Sequence, residues 1–509
     1  MEKRKAMCLS STSESNVDEE DKLGNLPEPI LHHILSFLDT RRVIQTTLLS
    51  RKWRYLWAHV PFVSFSRSDF HDTPKCQHRS FCDFITTALS LRRSSTMLKF
   101  EFESPSTYCN PCNIMPWVSL AVEANVQELH LQFLSYDNVR FVKVPHCLFT
   151  CKSLTSLRLD LGDNKCPVCV VVPLPDSIDL PVLNYLCLGS IRKMSTEFLD
   201  KFFSGSPVLE KLEIFTCEFE KANSIIISAA QLKHLTIELF EKARDDNDRD
   251  YSARRIAYYG CTDNCDVTIS APNLVSLLCT DYAYHVYSLE NLFSLEKASI
   301  EKEILNGWSS SSIAPTYDHD FTPIFTIQDS NRMIKCIKGL YTVKSLRLNH
   351  IFLKVVSVAG GEVLKTLLTP FTNLRYLELS TAMTDAHLQA MNYLLQGSHS
   401  VKTLVIDIIP KREKRGNKQG KLEDNVVYIG EEFLLKHLER IEVRDVKGSA
   451  NELEFLKILL KNVVELEKMI ISISKDFTTK HEERLNIISD ELLTCPRGSS
   501  NVEIVFRKS

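Results

Sequence analysis

One short phrase, apolar-x-x-apolar-x-apolar, recurs along most of this chain and leaves few folds open to it. It reads Val126/Leu129/Leu131, Leu154/Leu157/Leu159, Leu183/Leu186/Leu188, Leu209/Leu212/Ile214 and Leu232/Leu235/Ile237. It weakens through Leu274/Leu277/Cys279 and Leu295/Ala298/Ile300. It then returns at Val343/Leu346/Leu348, Leu374/Leu377/Leu379, Val401/Leu404/Ile406, Leu438/Ile441/Val443 and Leu466/Met469/Ile471. Twelve copies thus run over the 340 positions from Leu129 to Met469, a mean spacing near 31 residues. Repetition at such a period marks a solenoid, whose units bury their apolar faces only by stacking on one another. The end of each copy alternates apolar with polar, which predicts a short strand with Leu and Ile inward and the intervening residues outward. Between strands the pattern turns helical, as at Phe198, Leu199, Phe202 and Phe203, or at residues 386–395. Spacings from 21 to 48 residues are irregular, and the long ones, around 240–270 and 302–340, must hold loops tipped by residues 245–250 and 308–312.

Ahead of the repeat, residues 21–62 have a different texture. Ile30, Leu31, Ile34, Leu35 and Leu38 form one helical stripe, and Pro27 and Pro29 fall in its first turn, where backbone N–H groups lack partners anyway. A second apolar patch, Val43, Ile44, Leu48 and Leu49, precedes Ser50, the expected N-cap of a helix carrying Trp53, Leu56, Trp57 and Val60. Three helices this short cannot cover their own apolar faces, so this head is expected to lean on a partner surface.

The C-terminal stretch 433–507 pairs a strand at Leu438–Val443 with a helix opened by the capping-box spacing of Ser449 and Glu452. A further strand is predicted at Leu466–Ile473 and a last one at Val502–Phe506. Met1–Asp21 is poor in apolar residues and rich in serine and acids, the composition of a disordered tail.

Composition narrows the function classes. With 44% hydrophobic and 25% charged residues the chain is of ordinary globular type, and a net charge of −3 gives no general field for binding nucleic acid. No run approaches the roughly 18 apolar residues of a membrane span, and no signal-like stretch opens the sequence. The expectation is therefore an intracellular protein, nuclear, cytoplasmic or both, with no membrane partner. The basic run Lys411–Arg415 with Lys418 and Lys421 reads either as a nuclear-localisation signal or as a solvated loop.

Sixteen cysteines without a secretory signal suggest free thiols in a reducing compartment. Cys109-x2-Cys112 and Cys166-x2-Cys169 have the internal spacing of zinc knuckles, but 53 residues separate them; Cys261/Cys265 and the group His71, Cys76, His78 and Cys82 are looser still. No metal and no cofactor is expected. P-loop, G-x-S-x-G, H-E-x-x-H and dinucleotide-turn motifs are all missing, and 15 glycines in 509 residues give phosphate-cradling loops little material. An enzyme is not expected.

Leu26-Pro27, Ile34–Leu38 and the run Leu49–Trp57 (Leu-Ser-Arg-Lys-Trp-Arg-Tyr-Leu-Trp) resemble the F-box of plant F-box/leucine-rich-repeat proteins. The departures are Pro29 in the first turn and Asp39 where that family usually has proline. The recurring phrase matches a leucine-rich repeat, with Trp117-Val118 and Phe149–Leu154 as further landmarks. Gly448, Glu452–Lys457, Leu460–Asn462, Leu466–Met469 and Arg497–Ser500 resemble the FBD domain found at the C-terminus of many such proteins. The resemblance implies an α/β chain: a disordered tail (1–20), a three-helix F-box (21–65), a linker and N-terminal cap of the repeat (66–120), a leucine-rich-repeat solenoid with parallel strands on its concave face (121–432) and an FBD cap (433–509).

By the same resemblance the head recruits a Skp-type adaptor, and through it a cullin, while the repeat holds a target protein. The chain would be the substrate-recognition subunit of an SCF-type ubiquitin ligase; the alternative is a repeat scaffold that binds the adaptor outside any ligase. The adaptor-interface and head-packing candidates are Leu26, Pro27, Ile30, Ile34, Leu35, Leu38, Ser50, Trp53, Leu56 and Trp57. Some of these must be internal core. On the outward strand positions, Arg158, Glu213, Phe215, His234, Arg347, Tyr376, Glu378 and Arg440 are the target-binding candidates, because a mixed-charge face with aromatics suits a protein better than a phosphate backbone.

Overall fold

The structure, a computed structural model, describes residues 23, 25–49, 53–66, 77–92, 96–103, 114–133, 144–161, 175–191, 194–217, 224–238, 266–282, 286–303, 325–360, 371–409, 437–474 and 481–508. The loop tips at 245–250 and 308–312, the tail before residue 22, the basic run 411–421 and Ser50 lie outside the described residues.

The head folds as three short helices, α1 (Glu28–Leu35), α2 (Thr40–Gln45) and α3 (Trp53–Leu56), with one 3-10 turn after α2 and another after α3. Pro27 is the N-cap of α1 and Pro29 sits in its first turn, as the missing N–H groups allow. Asp39, the departure from the family pattern, caps α2: its carboxylate accepts the Arg42 backbone N–H at 2.7 Å.

After the head the chain enters a parallel sheet. Its strands are β1 (Phe62–Phe65), β2 (Lys99–Glu103), β3 (Glu128–Gln132), β4 (Ser156–Asp160), β5 (Tyr185–Gly189) and β6 (Lys211–Phe215). A back strand, β7 (Ser224–Ser228), precedes β8 (His234–Glu238); likewise β9 (Asp266–Ser270) precedes β10 (Ser276–Tyr282), and β11 (Val286–Glu290) precedes β12 (Lys297–Glu303). There follow β13 (Ser345–Leu348), β14 (Tyr376–Thr381), β15 (Thr403–Ile408), β16 (Arg440–Val446), β17 (Lys468–Ile473) and β18 (Glu503–Lys508). Among the described residues fifteen strands, all but β7, β9 and β11, pair in chain order as one sheet. All twelve copies of the phrase supply a strand to it, including the weak ones at Leu277 and Ala298.

Pairing is parallel throughout and in register, save for one shift between β16 and β17 after Val443: Lys99 faces Glu128, Glu128 faces Ser156, Ser156 faces Tyr185. Equivalent residues therefore stack into columns. In the main sheet the second and fourth residues of every strand before β18, such as Leu129 and Leu131 or Leu404 and Ile406, are buried in a core that runs the length of the repeat.

The sheet begins earlier than the sequence reading places it. Val60/Val63/Phe65 and Met97/Phe100/Phe102 carry the same phrase with Phe and Met for Leu, so β1 and β2 already belong to the ladder. The segment 66–120, expected as linker and cap, thus supplies a strand, and both α4 (Gln77–Leu91) and the helix Ile114–Glu123 put residues into the common core.

Most repeats return behind the sheet through a helix, but behind β6 to β12 the return segments are strands. These form a second parallel sheet in the order β11-β9-β7, flanked by the helix Thr196–Gly205 beside β7 and the helix Ile327–Lys338 beside β11. Helices pack roughly 8–10 Å apart and strands roughly 4.8 Å apart, so helices behind a sheet make it the inner, concave side of a curve. The back sheet, with strand spacing on both sides, removes that mismatch across the middle repeats. Where helix meets back sheet the approach is close: a Cβ on Gly339 would lie 2.5 Å from the Leu289 Cβ.

Wholly inside this middle section, Lys302 and Asp281, paired in register on β12 and β10, have no exposed side-chain surface. The Lys302 Nζ lies 4.0 Å from Asp281 Oδ2 and 4.5 Å from the centre of the Tyr287 ring, while the Tyr287 hydroxyl donates to the same carboxylate at 2.6 Å. Burial and the adjoining carboxylate hold the Tyr287 pKa well above the usual phenol value.

At the C-terminus β16 to β18 continue the main sheet. The helix Ala450–Asn462 opens with the predicted capping box between Ser449 and Glu452. Its end is tied down by the Arg497–Ser500 run: Gly498 N–H donates to the Leu460 carbonyl at 2.8 Å and the Ser499 hydroxyl to Leu466 O at 2.7 Å.

Candidate functional sites on the head and the open sheet face

Helix α1 is sorted by adjacent residues. Leu31 and Leu35 are buried in a head core with Val43, Trp53, Leu56 and Val60, and Leu26, Leu38 and Trp57 pack half-buried against it. Of the nine head candidates among the described residues, Leu35, Trp53 and Leu56 are therefore core, and Pro27, Ile30 and Ile34 are exposed. The reason is helical geometry: Ile30 and Ile34 lie four residues apart on one side, one position back from Leu31 and Leu35. Leu23, Phe37, Leu48, Leu49 and Tyr55 are exposed as well; Leu48 and Leu49 belong to the second apolar patch of the sequence, whereas Phe37 and Tyr55 fall outside its stripes because one sits in a turn and the other on the outer side of α3. Phe37 is steadied by an edge contact with the His33 ring, 5.1 Å between centroids. Apolar side chains stand in water at this density on a unit whose core cluster, among the described residues, has six members.

The open face of the sheet carries two clusters. In the first, the Arg158 guanidinium lies over the Phe215 ring, 5.2 Å from its centre. Next to it the Tyr185 hydroxyl donates to Glu213 at 2.7 Å, and Lys211 Nζ is 2.7 Å from the same carboxylate and 4.9 Å above the Tyr185 ring. Burial would raise the Glu213 pKa, but the bonds from Lys211 and Tyr185 outweigh it and hold the carboxyl below its usual range. Between Arg158 and Glu213 in the same column sits Cys187, whose burial pushes its thiol up to about 12.

The second cluster is an ion ladder across β12 to β16. Arg347 Nε lies 3.4 Å from Glu301 and 3.6 Å from Glu378, and the Tyr376 hydroxyl donates to Glu378 at 2.9 Å. Arg444 reaches Glu378 and Asp407, both at 3.5 Å, and bonds Glu442 at 2.8 Å; Arg440 lies 3.5 Å from Glu442. Burial raises the Asp407 pKa against the pull of Arg444.

The columns thus bring together seven of the eight face candidates as two groups: Arg158, Glu213 and Phe215, then Arg347, Tyr376, Glu378 and Arg440. His234 stands apart, its Nδ1 2.8 Å from the Ser276 hydroxyl. Glu301 and Asp407 are further members the sequence reading passes over; both stand at the fifth position of their strands, the position that Phe215 and Arg444 hold in theirs. The face is also drier than a simple in–out alternation predicts: Val405 and Ile470 occupy outward columns yet are buried, as is Cys187.

Among the described residues no group of three or more His, Cys, Asp or Glu side chains is arranged to hold a metal ion, and no helix is long and apolar enough to cross a membrane. The cysteine pairs 109/112, 166/169 and 261/265 lie outside the described residues.

Comparison with known proteins follows this division. Residues 23–65 match the F-box domain model, residues 114–305 the model described as FBD-associated F-box protein At5g56370, LRR repeats, and residues 432–471 the FBD model. Similar proteins from Arabidopsis thaliana include the F-box/FBD/LRR-repeat protein At1g78750, 27% identical with 96% of each chain covered. F-box/LRR-repeat protein 13 is 25% identical, again over 96% of each chain. F-box/FBD/LRR-repeat protein At5g56420 is 25% identical over 96% of this chain and all of its own length.

Proposed function

Because the chain carries the F-box, leucine-rich repeats and FBD of the plant F-box/FBD/LRR-repeat proteins, we propose that it is the substrate-recognition subunit of an SCF-type cullin–RING ubiquitin ligase. F-boxes generally bind Skp-type adaptors, and the observation that carries the reading here is the exposed apolar set on a head whose own core is complete without it. Ile30, Ile34, Phe37, Leu48 and Leu49 meet the adaptor; Leu31, Leu35, Trp53 and Leu56 hold the head in shape behind them.

The sheet face takes the target protein, with the Arg158–Phe215 and Arg347–Arg440 clusters as anchors. Exposed ion pairs of this kind contribute little to stability, and their value lies in fixed, patterned charge that selects a complementary partner. The chain does no bond chemistry. It holds a target lysine near the charged conjugating enzyme, which raises the effective concentration of the reacting groups. It acts inside the cell, in the nucleus, the cytoplasm or both.

Co-purification tests this directly. The full chain should bring down a Skp-type adaptor and, through it, a cullin. Adaptor without cullin would favour the scaffold reading, and no adaptor at all would refute both. Proximity labelling with and without proteasome inhibition, scored for proteins that accumulate, would identify the target.

A further inference from the structure

The head is joined to the sheet without slack. The 3-10 turn after α3 ends at His59, and β1 starts at Phe62. Between them Pro61 O accepts the Leu98 N–H at 2.8 Å and the Lys99 N–H at 3.2 Å, so the exit from the head is already laddered to β2. Three side-chain contacts reinforce this. The Ser64 N–H of β1 donates to the Thr40 hydroxyl at the start of α2, at 2.9 Å. Ile44 of α2 packs against the solenoid core rather than the head core. From the end of α4, Arg92 Nη1 donates to the Val60 carbonyl at 2.7 Å and Nη2 to Thr96 O at 3.2 Å. Arg92 lines a small cleft together with Thr40, Val43, Trp57 and Phe65. Burial there draws its pKa down to about 10. Its two bonds go to backbone carbonyls on either side of the junction, one at the exit of the head and one at the entry to β2, a geometry that a planar fork suits and a single ammonium does not.

We propose that Arg92, together with Thr40, is a positioning residue that locks the head onto the first strand of the sheet, so that the exposed apolar set of the head keeps one orientation relative to the open sheet face. The consequence for ubiquitin transfer rests on the ligase reading above; the mechanical claim does not. A head held at one angle presents a defined zone of the repeat to the conjugating enzyme, and a head released at this joint sweeps a wider one, which lowers effective concentration at any one lysine.

The test uses the full chain with its adaptor and compares the wild type with Arg92→Met, Thr40→Val, the double variant and Arg92→Lys. Hydrogen exchange should quicken roughly tenfold in the double variant at the Ser64, Leu98 and Lys99 amides, with β6 and β8 unchanged and adaptor Kd within about twofold. Arg92→Lys should recover part of the protection. In a reconstituted reaction scored on this chain's own lysines, mass spectrometry should find a narrow modified set in the wild type and a broader one in the double variant. Unchanged exchange at Ser64 in the double variant, an unchanged lysine map, or loss of adaptor binding through unfolding of the head would each overturn the proposal. A wild-type chain that receives no ubiquitin would sink the ligase reading instead, and the exchange result would still decide whether the joint is locked.

Discussion

Replacing Ile30 and Ile34 with serine should separate the proposed adaptor surface of the head from its core. The five exposed apolar residues Ile30, Ile34, Phe37, Leu48 and Leu49 retain between 37% and 87% of their surface, about three fully exposed side chains in total. At roughly 1.5–3 kcal/mol per buried side chain they offer about 5–9 kcal/mol to a partner before the costs of association. Ile30 at 46% and Ile34 at 37% supply about 1–2.5 kcal/mol of this, so the double variant should bind a Skp-type adaptor roughly 5- to 70-fold more weakly. Because neither residue is part of the head core, thermal stability should hold. Leu35→Ala, one residue away and 1% exposed, should do the reverse. It leaves a cavity in a core of six residues, at about 2.7–5 kcal/mol, and loses binding only because the head unfolds. Calorimetric titration with purified adaptor, run beside circular-dichroism melts of both variants, gives the two readouts. Full adaptor affinity in the double serine variant, or a melt lowered as far as that of Leu35→Ala, would refute the assignment of α1's two sides.

Three further outcomes follow from the interior. His387 is buried, its Nδ1 accepts the Ala382 N–H at 3.1 Å, and burial, with the nearby His350 and Lys354, depresses its pKa from 6.5 to about 4. With the folded value below the unfolded one, its contribution is complete above pH 6.5 and lost as pH falls toward 4, so stability should drop by about 2 kcal/mol between pH 7 and 5. Urea midpoints for the wild type and His387→Asn should diverge over that window; parallel curves would show that His387 does not titrate as described. Asp281→Leu should destabilise by about 3–5 kcal/mol by leaving Lys302 buried without its carboxylate, and adding Lys302→Met should restore much of that, read from a double-mutant cycle in urea. Gly498→Ala would place a Cβ 2.6 Å from Lys461 O and 2.8 Å from Val463 O, and should cost about 1–3 kcal/mol, seen as faster hydrogen exchange in the helix Ala450–Asn462 while β3 to β6 stay protected.

Much of this architecture is legible before any fold is known. Each Leu-x-x-Leu-x-Leu copy names its own strand, because alternation is a property of a few consecutive residues. Even the weak Leu274 and Leu295 copies pair where the period puts them. The entry to the sheet is missed for a local reason: Val60/Val63/Phe65 and Met97/Phe100/Phe102 obey the same rule in bulkier residues, next to a head that draws attention to its helices. The back strands β7, β9 and β11 are illegible in another way. A segment such as Ser-Ile-Ile-Ile-Ser reads as a strand or as loop core until the neighbours that bond it are in place.

A helical head followed by a stacked parallel repeat, and most of the side chains that line the repeat's core, can be read from the residues alone. Those facts depend on periodicity, which each segment carries within itself. Three-dimensional packing alone sets which side of α1 stays exposed, which charges form the ladder from Glu301 to Arg440, and that the head is seated on β1 rather than tethered to it. Arg444 and Glu378 stand 66 residues apart in sequence and meet only because two strand pairings in register bring their columns side by side. Arg92 reaches Val60 across 32 residues for the same reason, since its place is set by a helix packed on strands that the local pattern cannot orient.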